Sequence, residues 1–244
     1  MIRKTEGIVL RTLRHQDSNL ITTLYTRDFG IRSFVITGYR SARARHKHSY
    51  FQPLSIIDIV YFHRENRGMD KINESKVSHL LNYIQTEPVK LSLGLAVLEI
   101  FFDTVKEEEE NIPLYEFLRE IILKIDQADK RLIQIFIYFL LHHTRYLGFF
   151  PNDFSENTSK VEFDIRQGRF HSTDKESDPI AFLLRKFAYS KLCLLPDEES
   201  CQQITFDQNG KKFLIKTLFD YYKFHIDGFR YPQTMKVFAE VFGT

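Results

Sequence analysis

The sequence predicts an α+β fold in which a small β-barrel precedes a mainly α-helical region. In roughly the first 75 residues, short runs rich in Ile, Val, Thr and aromatic residues alternate with turn residues, which is typical of strands. From Pro88 onward, apolar residues recur every three or four positions, which is the spacing of one helix face. We therefore expect two domains, residues 1–80 and 81–244.

The N-terminal domain contains five predicted strands, at residues 5–13, 20–26, 31–37, 54–62 and 68–75. Phe29-Gly30 provides a tight connection between the second and third strands, so this pair is expected to form a β-hairpin. Five short strands in so few residues indicate a small closed barrel of the OB type.

The C-terminal domain is predicted to be mainly helical. Helices are expected after Pro88, after Pro113, over about residues 129–147, after Asp178-Pro179 through Phe182, Leu183 and Phe187, and over about residues 207–226 and 232–242. The buried face of the first helix is predicted from its apolar spacing to be Leu91, Leu95, Leu98, Phe102 and Val105. Asp178-Pro179 supplies an N-cap and a first-turn proline to the fourth helix, and Gly148 is expected to end the third.

Helical spacing disappears between Pro151 and Asp178. There Val161, Phe163 and Ile165 alternate with polar residues up to Gln167-Gly168. This alternation predicts a β-hairpin inserted among the helices, at about residues 160–172.

Composition excludes a disordered chain, since 43% of residues are hydrophobic and 27% are charged. The two cysteines, Cys193 and Cys201, match neither a zinc pair nor a redox motif, which favours a reduced setting. The N-terminus lacks the apolar core of a signal peptide, and no apolar stretch of about 18 residues occurs. We expect a cytoplasmic protein that does not enter the membrane.

Charge is divided unevenly along the chain. Residues 1–80 hold 14 lysines and arginines against 7 aspartates and glutamates, whereas the whole chain has a net charge of only +2. The remaining residues are therefore net acidic. Such a split indicates a polyanionic partner for the basic region.

A basic segment between the third and fourth strands is the strongest functional signal. It runs from Gly38 to Ser49, contains no acidic residue, and has four permanent cations, Arg40, Arg43, Arg45 and Lys47. Loops between OB strands flank a nucleic-acid groove, where such cations bind phosphates. Arg11, Arg14, Arg27 and Arg32 are expected to extend the patch, and Tyr39, Tyr50 and Phe51 are candidate stacking faces for bases.

Signals for catalysis and metal binding are weak. His46 with His48, and His142 with His143, lack further ligands at a spacing that completes a site, and Glu107–Glu110 is typical of a solvated helix end. No nucleophile motif, phosphate-binding loop or dinucleotide fingerprint occurs. We expect no catalytic residue, no metal and no cofactor, and a binding function in place of an enzymatic one.

Several short motifs occur in a fixed order along nearly the whole chain. In the first domain they are Thr5-Glu6-Gly7-Ile8-Val9-Leu10, Asp17-Ser18-Asn19-Leu20, Leu24-Tyr25-Thr26-Arg27-Asp28-Phe29-Gly30, Gly38 with the basic segment, and Gln52-Pro53-Leu54. Further along they are Leu147-Gly148-Phe149-Phe150-Pro151-Asn152, Phe163-Asp164-Ile165-Arg166-Gln167-Gly168, and residues 225–242. Together they resemble the RecO family of bacterial recombination mediators in DNA repair.

The resemblance implies an OB domain that binds single- and double-stranded DNA and a helical domain that contacts partners. Family members anneal complementary strands and help load the recombinase onto DNA coated with single-strand-binding protein. The implied protein partners are RecR and the acidic, Phe-ended tail of the single-strand-binding protein. For DNA it points to Arg40 and Arg43, with Arg45 and Lys47 as extensions, and for the tail to Lys130, Arg131 and Arg145.

Many family members have a four-cysteine zinc knuckle after the position of Pro151, but this chain has no cysteine between Pro151 and Leu192. The resemblance therefore implies no zinc here. The residues leave other functions open. One is a protein adaptor that works through the acidic helical region, another is an RNA-binding OB protein, and a third is a hydrolase.

Overall fold

A computed structural model describes residues 1–15, 19–37, 49–63, 69–106, 108–154, 160–174, 178–189 and 208–234. The chain divides into two compact units, Met1–Gln127 and Ala128–Thr244. The first contains the barrel and two helices, and the second contains the other described helices and a small sheet. The predicted boundary near residue 80 instead separates the barrel from all helices, and that domain division stays a prediction.

Five strands close into the barrel, in the order β1-β2-β3-β5-β4. They are β1 (Ile2–His15), β2 (Asn19–Thr26), β3 (Gly30–Thr37), β4 (Ile56–Phe62) and β5 (Asp70–His79). All neighbours are antiparallel except β3 and β5, which pair in parallel. The predicted five-stranded barrel of OB type and the predicted hairpin of β2 and β3 are both confirmed.

The long strand β1 pairs with two neighbouring strands of the barrel. Residues 2–8 pair with β4 and residues 7–15 pair with β2. The pairing with β2 shifts by one residue between Val9 and Arg11, so Leu10 is the extra residue of a β-bulge. Because a bulge bends its strand, β1 can leave one neighbour and join the other.

Inward-facing side chains from every strand fill the barrel. They include Leu20, Leu24, Phe34, Ile59 and Tyr61, all nearly without exposure. Alternation along the strands places the residues between them on the outer face of the barrel.

Two helices complete the first unit, α1 (Pro88–Thr104) and α2 (Ile112–Gln127). The buried carboxylate of Asp126, near the end of α2, accepts hydrogen bonds from the backbone N–H groups of Asn82, Tyr83 and Ile84, at 3.1, 2.8 and 2.8 Å. The ammonium of Lys90 on α1 donates to the Asp126 carbonyl at 3.0 Å. Asp126 thus ties α2 to both the β5–α1 connection and α1.

The predicted buried face of α1 is only partly correct. Leu98 and Val105 are buried, but Leu91, Leu95 and Phe102 are half-buried. The fully buried positions instead include Leu93, Gly94, Ala96, Val97, Ile100 and Phe101. Apolar residues lie on more than one side of this helix, so spacing alone does not identify the packed face.

The second unit combines three helices with a three-stranded sheet. The helices are α3 (Leu132–Tyr146), α4 (Pro179–Tyr189) and α5 (Gln208–His225). The sheet has the order β6-β8-β7, from β6 (Asn152–Phe154), β7 (Val161–Asp164) and β8 (Arg169–Ser172). The antiparallel pair of β7 and β8 is the predicted hairpin. Strand β6, parallel to β8, was not predicted.

Helix ends in this unit follow the local signals in the sequence. The Asp178 carboxylate accepts a hydrogen bond from the Ile180 N–H at 2.9 Å, which is N-cap geometry at the start of α4. Gly148 has φ +85° just past the end of α3, a conformation that favours glycine. Of the predicted last helix, 232–242, only residues 232–234 lie within the described part of the chain.

No helix among the described residues is long and apolar enough to cross a membrane.

Candidate nucleic-acid interface

Helices cover one half of the outer face of β1 and β2. Ile8 and Tyr25 face each other across these strands, and neither has any exposed surface. The Tyr25 ring packs edge-on against Phe101 of α1, with 4.8 Å between centroids, and lies 6.0 Å from the ring of Tyr115 on α2. We call this region the covered half.

The same strands continue into an open half. After the bulge, Arg11, Leu13 and His15 of β1 face Thr23, Ile21 and Asn19 of β2, which in turn face Ser33, Val35 and Thr37 of β3. Leu13 is 56% exposed, and Ile21 and Val35 are half-buried. These nine residues form an aliphatic row between two polar rows, and we call them the open sheet face.

Two cationic side chains border the open sheet face. Arg11 is exposed, and its guanidinium lies over the ring of Phe102 at 4.4 Å and within 3.4 Å of the Thr23 hydroxyl. Lys71 of β5 is exposed and faces Val35 in the parallel register. Lys71 was missed in the sequence, where only its position beside the inward-facing Ile72 indicates an outward direction.

The basic segment continues the chain from one end of this face. Thr37 is the last residue of β3 and faces Asn19, the first residue of β2, which faces His15, the last residue of β1. Arg40, Arg43, Arg45 and Lys47 follow within ten residues of Thr37 but lie outside the described residues. Their part in binding stays a prediction.

Arg27 and Arg32 lie toward the other end of β3. The Arg27 guanidinium pairs with Glu116 of α2 at 3.2 Å, and both side chains are about half exposed. The Arg32 guanidinium donates to the backbone oxygens of Phe29 and Glu108 at 3.2 and 3.1 Å. Arg32 alternates with Ser33 and faces Leu24 of the barrel core, and Arg27 precedes β3, so neither arginine joins the open sheet face.

Phe51 cannot be a stacking face, which corrects the prediction. Its side chain is 2% exposed and belongs to the core of the barrel, because the connection to β4 folds back over the barrel end. Tyr50 packs partly buried against the same core. Tyr39 lies outside the described residues. No aromatic side chain occupies any of the nine positions of the open sheet face.

The three cations predicted to bind a partner's tail do not lie together. Lys130 and Arg131 precede α3, whereas Arg145 lies in its last turn. The helix has 15 residues, so its ends are roughly 20 Å apart. Arg145 is exposed, and its guanidinium lies over the Phe150 ring at 4.2 Å.

The neighbouring His142 and His143 have separate partners in the second unit. The Nε2 of His142 lies 3.1 Å from the Phe187 carbonyl, and the Nδ1 of His143 lies 3.2 Å from the Tyr222 hydroxyl. Burial lowers the pKa of His142 to about 4 and that of His143 to about 3. Within the described part of the chain, no three His, Cys, Asp or Glu residues are grouped to hold a metal ion. His46 and His48 lie outside it.

Chemically, the open sheet face fits an extended polyanion. Its aliphatic row offers contact to sugars or base edges, while Arg11 and Lys71 offer charge to phosphates on either side. Phosphate contacts of this kind provide affinity without reading a sequence.

Two family profiles match the chain. One, described as Recombination protein O N terminal, matches residues 1–81, and the other, described as Recombination protein O C terminal, matches residues 85–234. Curated proteins named DNA repair protein RecO are similar over almost their whole length. The protein from Christiangramia forsetii is 30% identical, covering 100% of both chains, and that from Flavobacterium johnsoniae is 31% identical, covering 98% of both. The Flavobacterium psychrophilum protein is 29% identical, again covering 98% of both. The chain belongs to the RecO family of DNA repair proteins.

Proposed function

We propose that this chain is a non-catalytic, cytoplasmic recombination mediator. It binds single- and double-stranded DNA through the open sheet face and the basic segment, and it anneals complementary strands. It also helps load a recombinase onto DNA coated with single-strand-binding protein. The observation that supports this most is the uncovered half of an OB sheet, bordered by cations, at the strand end where the basic segment begins.

Recognition would be directed mainly at the DNA backbone. The nine positions of the open sheet face hold aliphatic and polar side chains and none of the large aromatic rings, and the rings Phe34, Phe51 and Tyr61 are in the barrel core. Affinity should therefore fall steeply with salt, with a log-log slope of about −0.7 per neutralised phosphate for single strands and about −0.9 for duplex. Base composition should have a small effect by comparison.

Annealing by this route needs no nucleotide hydrolysis. Two single strands repel each other through their phosphates, and a basic surface that binds both lowers this repulsion while the bases stay free to pair. The protein contributes only charge and proximity.

The test is strand annealing between two dye-labelled complementary oligonucleotides without ATP. The native chain should accelerate annealing, and the variant Arg40→Glu, Arg43→Glu, Arg45→Glu should lose DNA affinity on the order of 100-fold at about 50 mM salt. A matched control, Lys4→Glu, Lys76→Glu, Lys216→Glu, removes the same charge from exposed positions elsewhere and should retain most of the activity.

If both triple variants lose activity equally, the effect is one of net charge and the basic segment is not the site. If the native chain neither binds nor anneals DNA at low salt, the proposed function is wrong and an adaptor function replaces it. If a matched RNA oligonucleotide competes better than DNA, the chain is an RNA-binding OB protein.

RecR and the tail of the single-strand-binding protein are the proposed protein partners. For the tail, the surroundings of Arg145 offer the chemistry that an acidic peptide ending in Phe requires. An exposed guanidinium lies over Phe150, and the Tyr189 ring packs edge-on against Phe150 at 6.1 Å. Such a peptide needs both a cation for its carboxylates and an apolar surface for its ring.

Binding of a labelled acidic peptide ending in Phe separates the candidate cations. Arg145→Ala should weaken binding about tenfold, as expected when a charge-assisted hydrogen bond is lost. Lys130→Ala, at the other end of α3, is the matched control. If Lys130→Ala weakens binding and Arg145→Ala does not, the tail binds at the start of α3.

A further inference from the structure

Phe102 of α1 lies at the edge of the open sheet face, beside Arg11. The Arg11 guanidinium lies over its ring at 4.4 Å, and the Lys106 ammonium lies 5.5 Å from the same ring centroid. Arg11 comes from β1, and Lys106 follows the end of α1. One ring therefore brings together two cations from different parts of the first unit.

Both cations are held by further contacts and are still exposed to solvent. The Lys106 ammonium donates to the Phe102 carbonyl at 3.1 Å, and the Arg11 Nε lies 3.4 Å from the Thr23 hydroxyl. The Thr23 hydroxyl in turn lies 3.1 Å from that of Ser33. A chain of contacts thus runs along the edge of the open sheet face, from Lys106 over the Phe102 ring to Arg11 and on to the hydroxyls of Thr23 and Ser33.

From this geometry we propose that Arg11 and Lys106 form a two-cation clamp for a DNA phosphodiester, and that Phe102 is the positioning residue that holds both. This inference rests on the proposed DNA binding and adds to it Lys106, a cation outside the strands of the barrel. A guanidinium held against a ring has lost part of its freedom before DNA arrives, so less conformational entropy is lost on binding.

Phe102 is half-buried, and two cations lie over its ring. They place positive charge where the covered half of the sheet ends and the open half begins.

The test uses the full chain and fluorescence anisotropy with a labelled oligothymidylate of about 30 nucleotides, over a range of salt concentrations. Lys106→Ala should lower affinity about threefold to tenfold at about 50 mM salt and make the log-log salt slope shallower by about 0.7. Lys76→Ala removes an exposed lysine from β5, where its ammonium pairs with Asp58, and is the matched control. If Lys106→Ala and Lys76→Ala have the same effect, Lys106 is not part of a clamp.

The positioning role of Phe102 is tested by a double-mutant cycle with Arg11. Phe102→Leu should weaken binding about threefold in the native background but have a clearly smaller effect in the Arg11→Ala background, because the loss acts through Arg11. Phe102→Tyr, which keeps the ring, should restore native affinity. Equal effects of Phe102→Leu in both backgrounds would overturn the positioning role.

These outcomes remain separate from the proposed function. If the native chain binds the oligothymidylate and the Lys106 and Phe102 variants bind it as tightly as the native chain does, the clamp is wrong and DNA binding stands. If the native chain does not bind at all, the proposed function fails. Because Lys106 is exposed, its variant is expected to fold even if Phe102→Leu lowers stability.

Discussion

The covered and open halves of the barrel's outer face lie on the same strands but have opposite surroundings. Ile8 and Tyr25 lie beneath α1 and α2 without exposure, whereas a few residues along the same strands Leu13 is exposed and Ile21 is half-buried. The two halves both have large apolar residues at these positions, so residue type does not distinguish them. What differs is whether a helix covers them. One continuous face can therefore hold a covered part that stabilises the fold and an open part that is accessible to a partner.

The largest effect is expected at the centre of the covered half. Tyr25→Ala removes a fully buried ring that packs on Phe101 and Tyr115, so the free energy of unfolding should fall by about 3–5 kcal/mol. Urea denaturation followed by circular dichroism measures the loss. A loss below about 1 kcal/mol would mean that the helices do not cover this half in solution.

Asp126 is expected to have the next largest effect, since it ties the covering helices together. Asp126→Ala leaves three backbone N–H groups without their acceptor, so unfolding should become easier by about 3 kcal/mol. Asp126→Asn keeps one acceptor oxygen and should cost less. Equal losses for the two variants would show that the contribution of the carboxylate is not hydrogen bonding.

A buried histidine in the second unit tests whether full burial has the same consequence there. The pKa of His143 is about 3 in the folded chain and about 6.5 in an unfolded one, so its neutral form is favoured by folding. Its contribution is present above pH 6.5 and is lost as the pH falls toward 3. At pH 5 the loss is about 2 kcal/mol.

Hydrogen exchange at pH 7 and pH 5, corrected for intrinsic rates, measures this loss within α3. His143→Gln should make α3 less sensitive to pH. The barrel has no fully buried histidine among its described residues, so its strands should respond less. A larger response in β2 than in α3 would contradict the assignment.

Lys71 provides the first test in the open half. Lys71→Ala should lower DNA affinity about threefold to tenfold, or roughly 1 kcal/mol, because one phosphate contact is lost. Its stability should change by less than about 0.5 kcal/mol, since the side chain is exposed. Anisotropy and urea denaturation on the same sample separate the two effects, and a loss of stability without a loss of affinity would place Lys71 outside the interface.

The smallest effect is expected for Leu13→Ala. This side chain is 56% exposed, so its truncation should change the free energy of unfolding by less than about 0.5 kcal/mol. Together with Tyr25→Ala, it forms a matched pair on two strands. A loss comparable to that of Tyr25→Ala would show that the open half is covered in solution.

Much of the fold was predictable because its signals are local. Strand alternation, the Asp178-Pro179 start of α4 and the Gly148 end of α3 all depend on a few adjacent residues. Strand β6 was missed because three residues, Asn152–Phe154, are too short to show alternation. The packed face of α1 was mistaken because its apolar residues lie on more than one side.

The candidate site was less predictable, because it depends on register and on long-range packing. Arg11 was identified from its charge, but Lys71 and Lys106 were not, since their relation to the face depends on pairing with β3 and on the ring of Phe102. Phe51 was a candidate stacking face, because sequence alone does not show that the connection before β4 closes over the barrel.

The bulge at Leu10 affects the bend of β1 but not the side of the sheet on which its later side chains lie, and one-residue deletions would show this difference. If Leu10 were deleted, Arg11 would directly follow Val9 and would still face Thr23, so the outward residues would keep their side of the sheet. The strand would lose the bend with which it reaches both β2 and β4. Deleting Thr12 would instead turn Leu13 inward. Deleting Leu10 would therefore affect the closure of the barrel, whereas deleting Thr12 would change which side chains line the open sheet face.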